Sequence, residues 1–167
     1  MTQPTTQMRL APGESFALTI LGVPRQKKNR RRIGINPHTG KVFVGQNDLY
    51  ARWVATARFE PALPALLVWQ HDSWHRMSRA KRKGRRPPDA LIAPGPLRIR
   101  AHFFRERNVG DFDGYLTGLQ DLLQRRGVIA DDKWLTPDRC PPLDKDASNP
   151  RVELVLTALE VTTRGAA

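Results

Sequence analysis

The stretch GDFDGYLTGLQDLLQRRGVIADDKW, Gly110–Trp134, decides how this chain is read. It opens with Asp111 and Asp113, one residue apart, and closes with the adjacent Asp131 and Asp132. Between them Tyr115, Leu116, Leu119, Leu122 and Leu123 repeat at helical spacing. Arg125 and Arg126 occupy the last turn and Gly127 is a natural stop, so a helix is predicted over Tyr115–Arg126. Four acids around one helix are conspicuous in a chain of 167 residues that has 28 Lys plus Arg against 16 Asp plus Glu.

Upstream, PLRIRAHFF (residues 96–104) alternates Leu97, Ile99, Ala101 and Phe103 with Arg98, Arg100, His102 and Phe104, the pattern of a half-buried strand. SFALTILGV (15–23) is a second strand and RVELVLTALEV (151–161) a third. Arg32–Ile35 and Lys41–Val44 flank the turn residues Asn36 to Gly40 and predict a hairpin. From Asn47 or Asp48, a helix with Leu49, Trp53, Val54 and Ala57 inward is expected to run on until Pro61 ends it. Residues 69–95 read as an inserted basic loop or arm, mobile without a partner, and 136–150 as a Pro- and Asp-rich loop containing Cys140. Residues 1–14 form a flexible lead and 162–167 a tail, leaving one domain over 15–161. The expected class is α/β (α+β): a small mixed sheet with a hairpin and two main helices.

A net charge of +12 attracts polyanions, which makes nucleic acid the leading partner. No basic amphipathic helix or lipidation signal supports a membrane surface, and no apolar run approaches a membrane span. The single cysteine excludes an intrachain disulfide. With no apolar leader at the N-terminus, a cytoplasmic location is expected.

In extended backbone, residues i and i+2 point to one side, so Asp111 and Asp113 can aim at one point. Like charges that close need a cation, a shared proton or a helix N-terminus. Mg²⁺ suits such a pair, and two such ions can activate water and stabilise a leaving oxygen in phosphodiester cleavage. The plainer reading makes Asp113 a helix cap and Asp131-Asp132 a solvated turn.

The order of strand, Asp111-Phe112-Asp113-Gly114, leucine-patterned helix and Gly127-Val128-Ile129-Ala130-Asp131-Asp132 resembles the RusA family of Holliday junction resolvases. That family carries D-[LF]-D-N and then G-V/F-x-x-D-D. The resemblance extends more loosely to the P-x-x-K-x-N-R-R loop at Pro24–Arg31, the hairpin, the helix containing Tyr50 and the closing strand. It covers roughly residues 16–60 and 97–160 and leaves out the arm. It implies a homodimer that cuts four-way DNA with Mg²⁺ or Mn²⁺. Asp111, Asp113 and Asp132 would be catalytic and metal-holding carboxylates, with Asp131 auxiliary. Phage or prophage origin follows only by analogy. Two positions depart from the pattern: Gly114 stands where the family has Asn, and Thr117 where it has Lys. Lys133 is the candidate replacement cation. The departures also admit a non-catalytic, structure-selective DNA-binding relative, and the basic arm admits an RNA- or protein-binding module.

A helix over Tyr115–Arg126 is about 18 Å long, and the five residues Gly127–Asp131 can return at most about 16–18 Å. Asp132 therefore meets Asp111 only if the chain doubles straight back along the helix, which is favoured because Val128 and Ile129 could pack on it. Otherwise a second subunit completes the site. Phosphate binding is assigned to Arg25, Lys27, Lys28, Arg30, Arg31 and Arg32, and DNA contact to the arm through Arg79, Lys81, Arg82, Lys83, Arg85 and Arg86. His71 and His75 have helical metal-ligand spacing without an evident third ligand. Trp69 and Trp74 read as hydrophobic cover or a wedge at a base step, and Trp134 and Leu135 as core.

Overall fold

The computed structural model describes residues 7–26, 32–45, 48–108, 110–138 and 143–160. The fold is mixed α+β. Its centre is the strand Leu97–Arg105 (β5), where Leu97, Ile99, Ala101, Phe103 and Arg105 are buried and Arg98 and Arg100 are exposed. The period of two sorts apolar from charged side chains onto opposite faces. Each buried Leu, Ile or Phe here is worth about 1.5–3 kcal/mol. β5 pairs antiparallel with Arg151–Ala158 (the last strand, β8), Leu97 opposite Ala158 and Phe104 opposite Arg151. β8 pairs antiparallel on its other edge with Ser15–Leu21 (β1). Val152, Leu154 and Leu156 of β8 and Leu18 and Ile20 of β1 fall on the same buried face.

Three short strands complete a six-stranded sheet: Arg58–Glu60 (β4) beside β1, and Leu135–Pro137 (β6) and Asp144–Lys145 (β7), both parallel to β5. Arg32–Ile35 (β2) and Val42–Gly45 (β3) form a separate hairpin, as the turn residues predict. Its turn is built by Asn36, whose side-chain oxygen accepts from the backbone N–H groups of His38 and Thr39.

The helices are Asp48–Thr56 (α1), Ala65–Arg76 (α2), the single turn Arg79–Arg82 (α3) and Phe112–Arg125 (α4). α4 lies on the buried face of β5 through rings: Phe103 sits 5.4 Å from Tyr115 and 5.6 Å from Phe112. Tyr50 of α1 packs edge-on to Trp53 and donates its hydroxyl hydrogen to the Asp121 carboxylate of α4. Burial and that carboxylate hold the Tyr50 hydroxyl far above its ordinary range, so it stays protonated and donating. Val128 and Ile129 join the same core just after α4.

Five expectations are corrected. α1 ends at Thr56, not Pro61, because Arg58–Glu60 pair with β1 and Phe59 packs against the core. Within α1 the buried residues are Tyr50, Trp53 and Val54, while Leu49 faces solvent. The arm over 69–95 is not a loop throughout: α2 and α3 occupy its first half, and Ala90, Leu91 and Ile92 are buried. Leu67 and His71, one helical turn apart, anchor α2. The run 136–150 contributes parts of β6 and β7, because an unsatisfied edge of β5 is available to it. Trp134 is exposed, its ring under the Lys133 ammonium, while Leu135 is core as expected.

Candidate functional site

The end of β5 delivers the chain to Asp111. This residue is the N-cap of α4, in extended backbone, and its Oδ1 accepts from the Gly114 N–H at 2.6 Å. Asp113 lies in the first turn, exposed like Asp111. The cap is thus Asp111, not Asp113, and the two carboxylates share a helix N-terminus whose dipole favours negative charge. Thr117, the position where a lysine would be expected by resemblance, turns its hydroxyl back to the Asp113 carbonyl at 2.8 Å.

A side chain that no sequence pattern marked holds this corner. Gln26, buried in the loop after β1, donates Nε2–H to the Asp111 carbonyl at 2.8 Å. Its amide lies against Gly110 and Gly114, and a Cβ added at Gly114 would stand 2.7 Å from Nε2. The Gln26 amide fills the space that a side chain at position 114 would take. Gln26 sits among cations in sequence, so nothing in composition or spacing distinguishes it. Its neighbour Arg25 pairs with Glu106 at 3.3 Å across the same corner. Burial pushes the Tyr115 hydroxyl up; Arg105 and Arg25 oppose it and Asp111 reinforces it, which places all three charges around that ring.

This packing gives a test. Installing the RusA-type Asn at position 114 should cost stability, about 1–3 kcal/mol for overpacking a filled site. Gln26→Ala in the same chain should recover part of that loss, a coupling of about 1 kcal/mol read from a double-mutant cycle of urea melts. Additive losses in the double variant would show that the two side chains do not compete.

Asp131 and Asp132 are placed elsewhere. Asp131 caps the 3-10 turn Asp132–Trp134, accepts from the Lys133 N–H at 3.1 Å and pairs with the Lys133 ammonium at 3.2 Å. The Lys133 backbone hydrogen bond, then its charge, hold the Asp131 carboxyl below the usual carboxylate range. The turn leads into Leu135, which pairs with Leu97 at the start of β5, whereas Asp111 follows the strand's far end. β5 has nine residues and a rise of about 3.3 Å each. The two acidic pairs are thus attached at opposite ends of the sheet's central strand. The straight return along α4 is not made, because Val128 and Ile129 go into the core beside Leu91 and Ile92 instead; Val128 accepts from the Ile92 N–H at 3.0 Å. Among the described residues, no group of three or more His, Cys, Asp or Glu is gathered as a metal centre. Lys133 is paired with Asp131.

On donor chemistry, Asp111 and Asp113 suit a hard divalent cation. Asp113 is exposed, and Asp111 engages only one oxygen in the cap.

Of the phosphate-binding candidates, Lys27, Lys28, Arg30 and Arg31 lie outside the described residues, as do the side chains of Arg32 and Arg79. Lys81, Lys83, Arg85 and Arg86 are exposed on the arm, Arg86 within 3.2 Å of Asp89. Arg82 is half-buried, 6.0 Å above the Trp74 ring. Trp69 is exposed, so it is not hydrophobic cover. His71 is core: its Nε2 lies 3.2 Å from the Asp89 carbonyl and its ring packs against Gly127. No protein-family model matches the chain, and no curated protein matches it. No helix among the described residues is long and apolar enough to cross a membrane.

Proposed function

We propose that this chain is a structure-selective endonuclease of RusA type that resolves four-way DNA junctions, working as a homodimer with Mg²⁺ or Mn²⁺. The observation that carries the reading is the exposed Asp111–Asp113 pair at the mouth of α4, with Arg25 and Gln26 of the segment after β1 at the same corner. A strongly cationic chain grips phosphates, and an exposed carboxylate pair on it has use for a cation.

Asp111 and Asp113 would hold the metal, which when bound supplies Lewis-acid activation of water and of the scissile phosphate. The chain's own part is positioning. The Gly114 N–H orients the Asp111 carboxylate and Gln26 fixes its backbone. With Asp131 and Asp132 attached at the start of β5 and Asp111 and Asp113 beyond its other end, a site that uses both pairs needs two subunits. Two such sites related by a two-fold axis suit a junction with two strands to cut. The alternative is a non-catalytic DNA-binding protein of the same descent. Thr117, bonded back to its own helix, favours it.

The test is cleavage of a labelled, immobile four-way junction with protein dimer in excess, in Mg²⁺, Mn²⁺ and EDTA side by side. Symmetric nicks that require metal and vanish in Asp113→Asn are expected. Tight binding with no cuts in either metal would establish the binding-only alternative. Equal preference for structured RNA would point to an RNA-binding module.

A further inference from the structure

The arm lies outside the RusA resemblance, yet it builds a cleft. α2 and α3 seat on the C-terminal half of α4 and leave a space of about 220 Å³ lined by His75, Arg82, Asp121, Gln124 and Arg125. It adjoins a second space of about 340 Å³ that shares His75 and Arg125 and adds Arg76, Arg126 and Asp72. We propose that this cleft is a phosphate site that holds a backbone phosphate of a DNA arm lying against the helical side of the molecule. The DNA source rests on the reading above; the anion chemistry does not.

Arg126 is committed to structure: it pairs with Asp72 at 3.1 Å and donates to the Val54 and Ala55 carbonyls. Asp121 accepts the Tyr50 hydroxyl hydrogen. Arg76, Arg82, Arg125 and Arg126 line the two spaces against Asp72 and Asp121, so the cleft is cationic and rich in N–H donors. The Arg82 guanidinium carbon lies 6.0 Å from the centre of the Trp74 ring, and the side chain lines the smaller space. A phosphate oxygen is a charged acceptor that suits guanidinium donors.

His75 reports occupancy. Burial, then Arg125, His71 and Arg82, hold its ring below the ordinary histidine range, with Asp121 opposing. A phosphate in the cleft adds negative charge and should raise the ring's titration point, so binding should tighten as pH falls.

The experiment measures affinity for four-way DNA in EDTA against salt concentration. Arg82→Gln and Arg125→Lys probe the cleft, and Arg98→Gln removes an equal charge from the opposite face of the sheet. Arg82→Gln should weaken binding by about threefold to tenfold and flatten the log–log salt slope by about one, while Arg98→Gln leaves both unchanged. In wild type, the His75 ring resonance should titrate at higher pH with duplex DNA. Inorganic phosphate alone, as a separate arm, tells whether a free anion suffices. Arg82→Gln indistinguishable from Arg98→Gln, or a His75 titration unmoved by DNA, would overturn the site. Failure of wild type to bind junctions at all would instead overturn the nuclease reading, and a His75 response to inorganic phosphate alone would then leave a free-anion site in place of the DNA site.

Discussion

Asp111→Asn should abolish junction cleavage while leaving the protein folded. The two functions of this residue are separable by chemistry. As N-cap, its side-chain oxygen accepts from the Gly114 N–H, and Asn caps about as well as Asp. As cation ligand, it contributes a negative charge that Asn lacks. Cleavage should fall on the order of a hundredfold or more, the scale of removing one preorganised charge partner from a reacting centre. Thermal midpoint and junction affinity in EDTA should hold. Asp111→Ala should lose the cap as well, about 1 kcal/mol, or roughly 2–4 °C for a chain of this size. Retained cleavage in Asp111→Asn would remove the carboxylate from the mechanism and leave it a cap only.

The largest loss of stability is expected from Gly127→Ala. Gly127 follows α4 with φ +74, a conformation that costs an L-residue about 1–2 kcal/mol. Its carbonyl accepts from the Leu91 N–H at 2.7 Å, so the backbone cannot easily relax. A methyl group there would also overlap the buried His71 ring, which holds α2 in place. Strain and overpacking together amount to about 2–5 kcal/mol, or roughly 5–15 °C in thermal midpoint. His71→Ala added to Gly127→Ala should relieve the overlap but not the backbone strain, giving a partial recovery against the sum of the two single changes. A midpoint within a degree of wild type would mean that the His71 ring does not seat on Gly127.

Burial of that histidine explains why the arm was hard to read. The buried side chains of α2 are Leu67 and His71, and a histidine surrounded by Trp, Asp and Arg gives no apolar period. β5 and α4 were legible because each meets the core along its whole length: Leu97 to Phe103 at period two, Tyr115 to Leu123 at helical spacing. β4, β6 and β7 have three, three and two residues. Segments that short carry no periodicity, and what orders them is a neighbouring strand remote in sequence. The same holds for the site. Asp111, Asp113, Asp131 and Asp132 could be picked out as residues. Which end of β5 receives each pair depends on the pairing of Leu135 with Leu97, and that is a tertiary fact. Gln26 is the extreme case, a neutral side chain among cations whose importance lies only in what it touches.

β8 is the last of the described strands and lies between β1 and β5 in the sheet. Ser15 is paired with Thr157, so the first strand waits for β8. During synthesis, β1 and β5 emerge from the ribosome with no strand between them, and the sheet closes only once Arg151–Ala158 has emerged. Until then a strongly cationic nascent chain exposes apolar strands to a crowded, RNA-rich surrounding. Messages cut short before β8 is encoded should yield chains without the strand that joins β1 to β5, fit for degradation rather than partial activity.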